Sequence, residues 1–205
     1  DPVDLLPGLA HRTNRLLRND GGVLTENTPA PPDDSRDGSS ACWGDYDNDG
    51  DLDVYLVKSF GSNRLLRNDG PDGFADVTTS PLNVSGLGRT ASWGDYDNDG
   101  DLDLYVVFAG QKNRLFRNDG PAGFTDVTEY PLNDFGRGWG AAWADYDGDG
   151  RLDLYLGNEA SWNKLFRNES GGTNHWLEVD LRGVQSNSFG AGARIRGVAG
   201  GRTQV

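Results

Sequence analysis

The chain has no methionine, one cysteine and two histidines in 205 residues. A single thiol, Cys42, excludes a disulfide framework within the chain. His11 and His175 lie far apart and have no metal-ligand spacing. With so few thiols and imidazoles, no Ser/His/Asp or Cys/His arrangement is readable. No stretch approaches the ~20 apolar residues that span a bilayer as a helix. Basic residues are scarce too: 19 Lys and Arg face 32 Asp and Glu, a formal charge of −13. That balance weighs against a nucleic-acid partner. A chain that starts at Asp1 and lacks methionine reads as a mature or excised product.

Glycine, by contrast, is abundant, with 30 Gly beside nine Pro. Such a composition suits short strands joined by tight turns. Six Trp, seven Tyr and eight Phe supply enough aromatic bulk to build a core, which argues against disorder.

Self-comparison organises the rest. Trp43–Asp53 (Trp-Gly-Asp-Tyr-Asp-Asn-Asp-Gly-Asp-Leu-Asp) recurs at Trp93–Asp103 and, with changes, at Trp143–Asp153. Asn63-Arg64-Leu65-Leu66-Arg67-Asn68 recurs at Asn113–Asn118 and Asn163–Asn168, with an earlier copy at Asn14–Asn19. Gly73–Thr78 recurs at Gly123–Thr128. In the second copy four extended stretches are expected: Thr90–Tyr96, Leu102–Phe108, Asn113–Asn118 and Phe124–Thr128. Leu102, Leu104 and Val106 alternate there with Asp103, Tyr105 and Val107, a period of two. Four strands in about 40–50 residues make one propeller blade.

The expected fold is therefore all-β, with three ~50-residue blades of four antiparallel strands and partial blade elements at the ends. The divisions fall at 1–38 (partial blade and Pro-rich connection), 39–88, 89–138, 139–172 and 173–205. Arg12–Glu26 reads as the outer two strands of a blade, and Thr28–Gly38 as a mobile connection. His175–Leu181 and Ala193–Val198 read as two further strands. Joining the N-terminal and C-terminal pairs is one way to close a ring.

The acids cluster where the repeat is strictest. Asp45, Asp47, Asp49 and Asp53 occupy positions 1, 3, 5 and 9 of the first loop. Asp95, Asp97, Asp99 and Asp103 do so in the second, and Asp145, Asp147, Asp149 and Asp153 in the third. Carboxylates at alternate positions of a tight loop converge on one point, where a hard cation taking six to eight oxygens fits. Calcium suits so ligand-rich a loop better than magnesium, and about three ions per chain are expected. Position 6 (Gly50, Gly100, Gly150) requires a sharp turn with positive φ. Position 4 (Asn48, Asn98, Gly148) also favours turn-formers. Position 7 is Asp51, Asp101 and then Arg151. A side-chain ligand would be lost at arginine, so this position is read as a main-chain carbonyl ligand. Without a cation each close carboxylate pair costs about 1–4 kcal/mol, depending on local dielectric.

Other repeated residues have plainer readings. Trp43, Trp93 and Trp143 are expected to pack between blades. Arg64, Arg67, Arg114, Arg117 and Arg167 are expected to pair with nearby acids. Asn83-Val84-Ser85 and Asn168-Glu169-Ser170 match the N-glycosylation acceptor pattern.

The loop sequence Gly-Asp-Tyr-Asp-Asn-Asp-Gly-Asp-Leu-Asp, followed by Asn-Arg-Leu-Phe-Arg-Asn and Phe-Thr-Asp-Val-Thr, resembles FG-GAP/VCBS repeats over about residues 12–170. The tail Asn174–Gly183, with Ser186-Asn187 and Gly190–Arg194, is similar to the start of an ASPIC/UnbV domain. Such a domain follows these repeats in the cartilage acidic protein family and its bacterial relatives. The resemblance implies a β-propeller in which the matching Asp positions bind calcium. The leading expectation is a secreted or cell-surface module, with structural calcium, serving adhesion or assembly without catalysis. Its partner would be a protein or glycan surface, or a further copy of the chain. Strand complementation into an oligomer or filament, and a carbohydrate-binding or hydrolytic site in a central channel, stay open as alternatives.

Overall fold

The structure, a computed structural model, describes residues 16–26, 38–171, 197–199 and 202–204. Fifteen strands and two short 3-10 turns make up the regular structure of these residues. The first blade contains β3 (Gly38–Gly44), β4 (Asp53–Lys58), β5 (Arg64–Asn68) and β6 (Phe74–Asp76), paired antiparallel in that order. The second repeats it with β7 (Gly88–Gly94), β8 (Asp103–Phe108), β9 (Arg114–Asn118) and β10 (Phe124–Asp126). The third has three described strands, β11 (Gly138–Ala144), β12 (Asp153–Asn158) and β13 (Lys164–Phe166). Two hairpins complete the set: β1 (Leu17–Asp20) with β2 (Val23–Glu26), and β14 (Gly197–Ala199) with β15 (Arg202–Gln204).

The expected blade architecture is present, with shifts at the strand ends. The first strand of the second blade runs Gly88–Gly94, because Asp95 and Tyr96 already belong to the acidic loop. The N-terminal hairpin falls where the outer half of a blade was expected; among the described residues its strands pair only with each other, and they are exposed throughout. The expected strand His175–Leu181, most of the Pro-rich connection and the ring closure lie outside the described residues. Of the stretch Ala193–Val198, Gly197 and Val198 fall in a strand, and the following strand Arg202–Gln204 was not expected.

A central strand of such a blade is covered on both faces. Leu104, Tyr105, Val106, Val107 and Phe108 of β8 are fully buried. Their even-numbered side chains pack with Tyr55, Val57 and Leu65 of the first blade; Tyr105 and Val107 pack with Leu154 and Leu156 of the third. Blades thus stack face to face, in agreement with the alternation read from the sequence.

The seam between blades is held by tryptophan, as expected for Trp93 and Trp143. The Trp93 indole N–H donates to the Cys42 carbonyl (3.3 Å), and Trp143 repeats this to Ser92 (3.2 Å). Each ring also lies edge-on to a buried tyrosine of the preceding blade, Tyr55 or Tyr105. The room comes from glycine. A Cβ on Gly44 would stand 2.8 Å from Trp93 Cδ1, and one on Gly94 2.7 Å from Trp143 Cδ1. Trp43 has no such seat among the described residues: it is 47% exposed and rests edge-on against Phe74 of its own blade.

Two substitutions test this seam. Trp93→Ala is expected to cost about 3–5 kcal/mol in urea unfolding. Gly44→Ala is expected to cost about 1–3 kcal/mol by overpacking. Ala144→Gly, at the same position of the third blade, should change stability by no more than about 1 kcal/mol. Equal effects of the two Gly/Ala exchanges would refute the steric argument.

Candidate metal centres

Each acidic loop joins the first two strands of its blade. Its shape follows from two left-handed residues. Position 4 has φ of 58°, 57° and 74° at Asn48, Asn98 and Gly148, and position 6 has 97°, 92° and 84° at Gly50, Gly100 and Gly150. These are conformations that Asn and Gly adopt at little steric cost. Both expectations for these positions are met.

The first carboxylate wraps the turn. Asp45 Oδ1 accepts the amide of Asp49 (3.0 Å) and Oδ2 that of Gly50 (3.1 Å). Asp95 and Asp145 do the same. Asp49 accepts the amide of Asp51, as Asp99 does from Asp101 and Asp149 from Arg151.

The ninth residue closes the loop onto the sheet. Asp53 is fully buried; its Oδ2 accepts the Tyr46 amide (3.1 Å) and its Oδ1 the Asn68 amide (2.8 Å). Asp103 and Asp153 repeat both bonds.

Three carboxylates converge in each loop, with one oxygen from each lying within 4.8 Å of the others. The groups are Asp45, Asp47 and Asp53; Asp95, Asp97 and Asp99; and Asp145, Asp147 and Asp153. Asp49 and Asp149 stand outside their loops' groups, and Asp103 outside the second. An all-oxygen, acidic donor set of this kind fits a hard divalent cation such as calcium.

Position 7 turns its side chain elsewhere. Asp101 is buried, and its Oδ1 accepts the side-chain amide of Asn48 from the preceding blade (2.9 Å). Arg151 pairs with Asp149 and donates from Nε to the Asn168 carbonyl (2.9 Å). Neither side chain belongs to the converging group of its loop.

The third loop differs in a second respect. Arg167 pairs with Asp147 (2.8 Å) and Asp149 (3.4 Å), whereas its counterparts Arg67 and Arg117 pair with Asp69 and Asp119 (2.7 Å each). Residue 169 is Glu, where the other copies have Asp69 and Asp119. Two guanidinium groups thus sit among the carboxylates of the third loop. The other expected ion pairs, Arg64–Asp76 and Arg114–Asp126, are also present.

The second asparagine of Asn-Arg-Leu-x-Arg-Asn was legible as a repeat, and its task was not. Asn118 donates from Nδ2 to the carbonyls of Leu102 (3.3 Å) and of Tyr46 in the neighbouring blade's loop (2.8 Å). Asn168 does the same to Leu152 and Tyr96. Asn48 and Asn98 reach the other way, to the Gly100 and Gly150 carbonyls (3.2 and 3.0 Å). Neighbouring loops are therefore tied to each other as well as to their own sheets. The Asn168 amide is engaged in this way, so its glycosylation pattern is a poor acceptor.

Burial and crowding raise the acids. Burial, with like charges nearby, pushes Asp53 and Asp95 up to about 6 and Asp103 up to about 8. Asp45, Asp47 and Asp97 are raised by the same causes.

The fold and these loops define an array of propeller-type blades bearing one acidic, cation-type loop each. The FG-GAP-like repeat matches the sequence three times, at residues 4–56, 45–106 and 105–156. The matches cover more than half of the chain, which belongs to this repeat family. A search of the curated proteins finds no match.

The raised acids give a pH test. The folded state holds these protons more tightly than the unfolded state, whose aspartates titrate near 4. Stability of the cation-free chain should therefore be greatest below that point and fall as pH rises from about 4 to about 8. Thermal midpoints in EDTA across this window check the sign; a midpoint that rises with pH throughout would refute it.

Proposed function

We propose that the chain is an extracellular calcium-binding propeller module in which calcium is structural. It serves adhesion or assembly and is not an enzyme. The observation that carries the reading is the triple convergence of carboxylates at the same position of three successive blades. One acidic turn is ordinary on a surface. Three in register, each built on a buried aspartate, cost free energy that a bound cation offsets.

In this reading each ion is held by the acids at positions 1, 3, 5 and 9 and by the carbonyl at position 7. The ligands are Asp45, Asp47, Asp49, Asp53 and the Asp51 carbonyl in the first loop. In the second they are Asp95, Asp97, Asp99, Asp103 and the Asp101 carbonyl. The third uses Asp145, Asp147, Asp149, Asp153 and the Arg151 carbonyl. The side-chain bonds of Asp101 and Arg151 to other groups support the carbonyl role. Extracellular modules of this ligand type bind at about 10⁻⁴–10⁻³ M, a range filled where calcium is abundant, outside the cell. The resemblance of the tail from Asn174 to the start of an ASPIC/UnbV domain supports a reading in which these repeats precede such a domain. A protein or glycan surface is the partner class that suits a non-catalytic array of this kind.

Calorimetry tests the reading. In EDTA the unfolding midpoint should be low, and added Ca²⁺ should raise it with about three ions bound per chain. Stability unchanged by calcium would refute the proposal. Arg151→Ala should leave the third site as tight or tighter, since it removes a competing cation, while Asp149→Ala should weaken it at least tenfold. Equal damage from both would refute the carbonyl assignment.

A further inference from the structure

The three acidic loops are built alike and charged differently. Each has aspartate at positions 1, 3, 5 and 9 and left-handed residues at positions 4 and 6. In each the first carboxylate accepts the amides of positions 5 and 6. Position 7 breaks the likeness, because Asp51 and Asp101 are followed by Arg151. That exchange turns a negative side chain beside the loop into a positive one, even where the ligand is the carbonyl.

A second guanidinium arrives from the residue after β13. Arg167 donates from Nε to Asp147 Oδ2 (2.8 Å) and from Nη2 to Asp149 Oδ2 (3.4 Å). The Arg151 guanidinium donates to the same Asp149 Oδ2, and the Arg151 amide donates to Oδ1 (3.0 Å). The carboxylates at positions 3 and 5 of this loop are therefore paired with cations that the chain itself supplies. In the other two copies the corresponding ion pairs lie outside the loop, Arg67 with Asp69 and Arg117 with Asp119.

The affinity of an oxygen site for calcium follows the charge of its ligands. A guanidinium beside the seat lowers it in two ways. It engages carboxylate oxygens that the ion needs, and it repels a divalent ion. At the dielectric of a protein surface that repulsion is worth about tenfold or more in binding.

We propose that the third loop is a self-neutralised calcium site, in which Arg167 and Arg151 hold positions 3 and 5 until calcium displaces them. The proposal rests on the reading of all three loops as calcium sites. The first two loops fill first and act as permanent structural sites. The third fills at higher calcium and empties first when calcium falls. Displacement is feasible because partly exposed ion pairs contribute little individually. The Arg167 side chain is 49% exposed, and Glu169 Oε1 stands 3.9 Å from its Nη1. Arg167 therefore has water and a carboxylate outside the loop to turn to. The array carries two fixed ions and, in the last of its three blades, one that responds to calcium concentration.

Isothermal titration of the full, calcium-depleted chain with Ca²⁺ tests this. Two ions are expected in a first phase and one in a second, weaker by about tenfold or more. Asp147→Ala should abolish the second phase alone, which assigns it to the third loop. Arg167→Gln should tighten the second phase about tenfold and leave the first within about twofold. Arg151→Asp, which restores the residue of the other copies, should tighten the second phase as well. Arg117→Gln, the same exchange one repeat earlier, should leave it unchanged. Three results would overturn the proposal while leaving calcium binding itself intact. These are three ions of equal affinity, a weak phase unaltered by both Arg167→Gln and Arg151→Asp, or a weak phase removed by Asp47→Ala or Asp97→Ala instead of Asp147→Ala. A chain that binds no calcium in either phase would refute the calcium reading, and this proposal with it.

Discussion

The structure depends on a buried aspartate that opens the second strand of each blade. Asp53, Asp103 and Asp153 each accept one main-chain amide from the acidic loop and one from the asparagine at or just past the end of the third strand. One carboxylate therefore fixes the loop, the strand that follows it and the strand beside that. Burying it carries a desolvation cost, visible in the raised proton affinity of Asp53 and Asp103. Two amides offset part of that cost. The same carboxylate joins the converging acids in the first and third loops. The group that organises the sheet is thus also the group that makes a cation favourable, and folding and ion binding share one residue.

The blade pattern was legible because its determinants are local and repeated. Leu104, Tyr105 and Val106 alternate within one strand, and Gly50, Gly100 and Gly150 mark turns that few other residues tolerate. Internal comparison went further than any single copy allows. Arg151 at position 7 identified a side chain not needed as a ligand, and the Asp101 bond to Asn48 agrees with it. The cross-blade bonds were not legible. Asn118 and Tyr46 are separated by 72 residues, and no local periodicity carries that pairing. The composition of the acid groups also escaped the sequence: position 5 accepts the same turn amide in all three loops, yet only Asp99 joins its converging group. The two arginines in the third loop were visible as residues, but their pairing with Asp147 and Asp149 was not; Arg67 and Arg117 pair instead with Asp69 and Asp119.

The seams show how small residues carry information in a repeat. Gly44 and Gly94 are set by the tryptophan of the next blade, and the third copy carries Ala144 at the same position. A glycine in such an array describes its neighbour more than itself.

The hydrogen bonds between successive loops have a kinetic consequence. Most side-chain bonds that link one blade to the next join residues 50 to 53 apart, the length of one repeat. The mean loop closed during assembly is then set by the repeat and not by the number of blades. Lengthening the array adds steps of the same entropic cost instead of raising the cost of each. Such a chain can grow by duplication without becoming slower to fold per blade, because every new blade closes only onto the one made just before it.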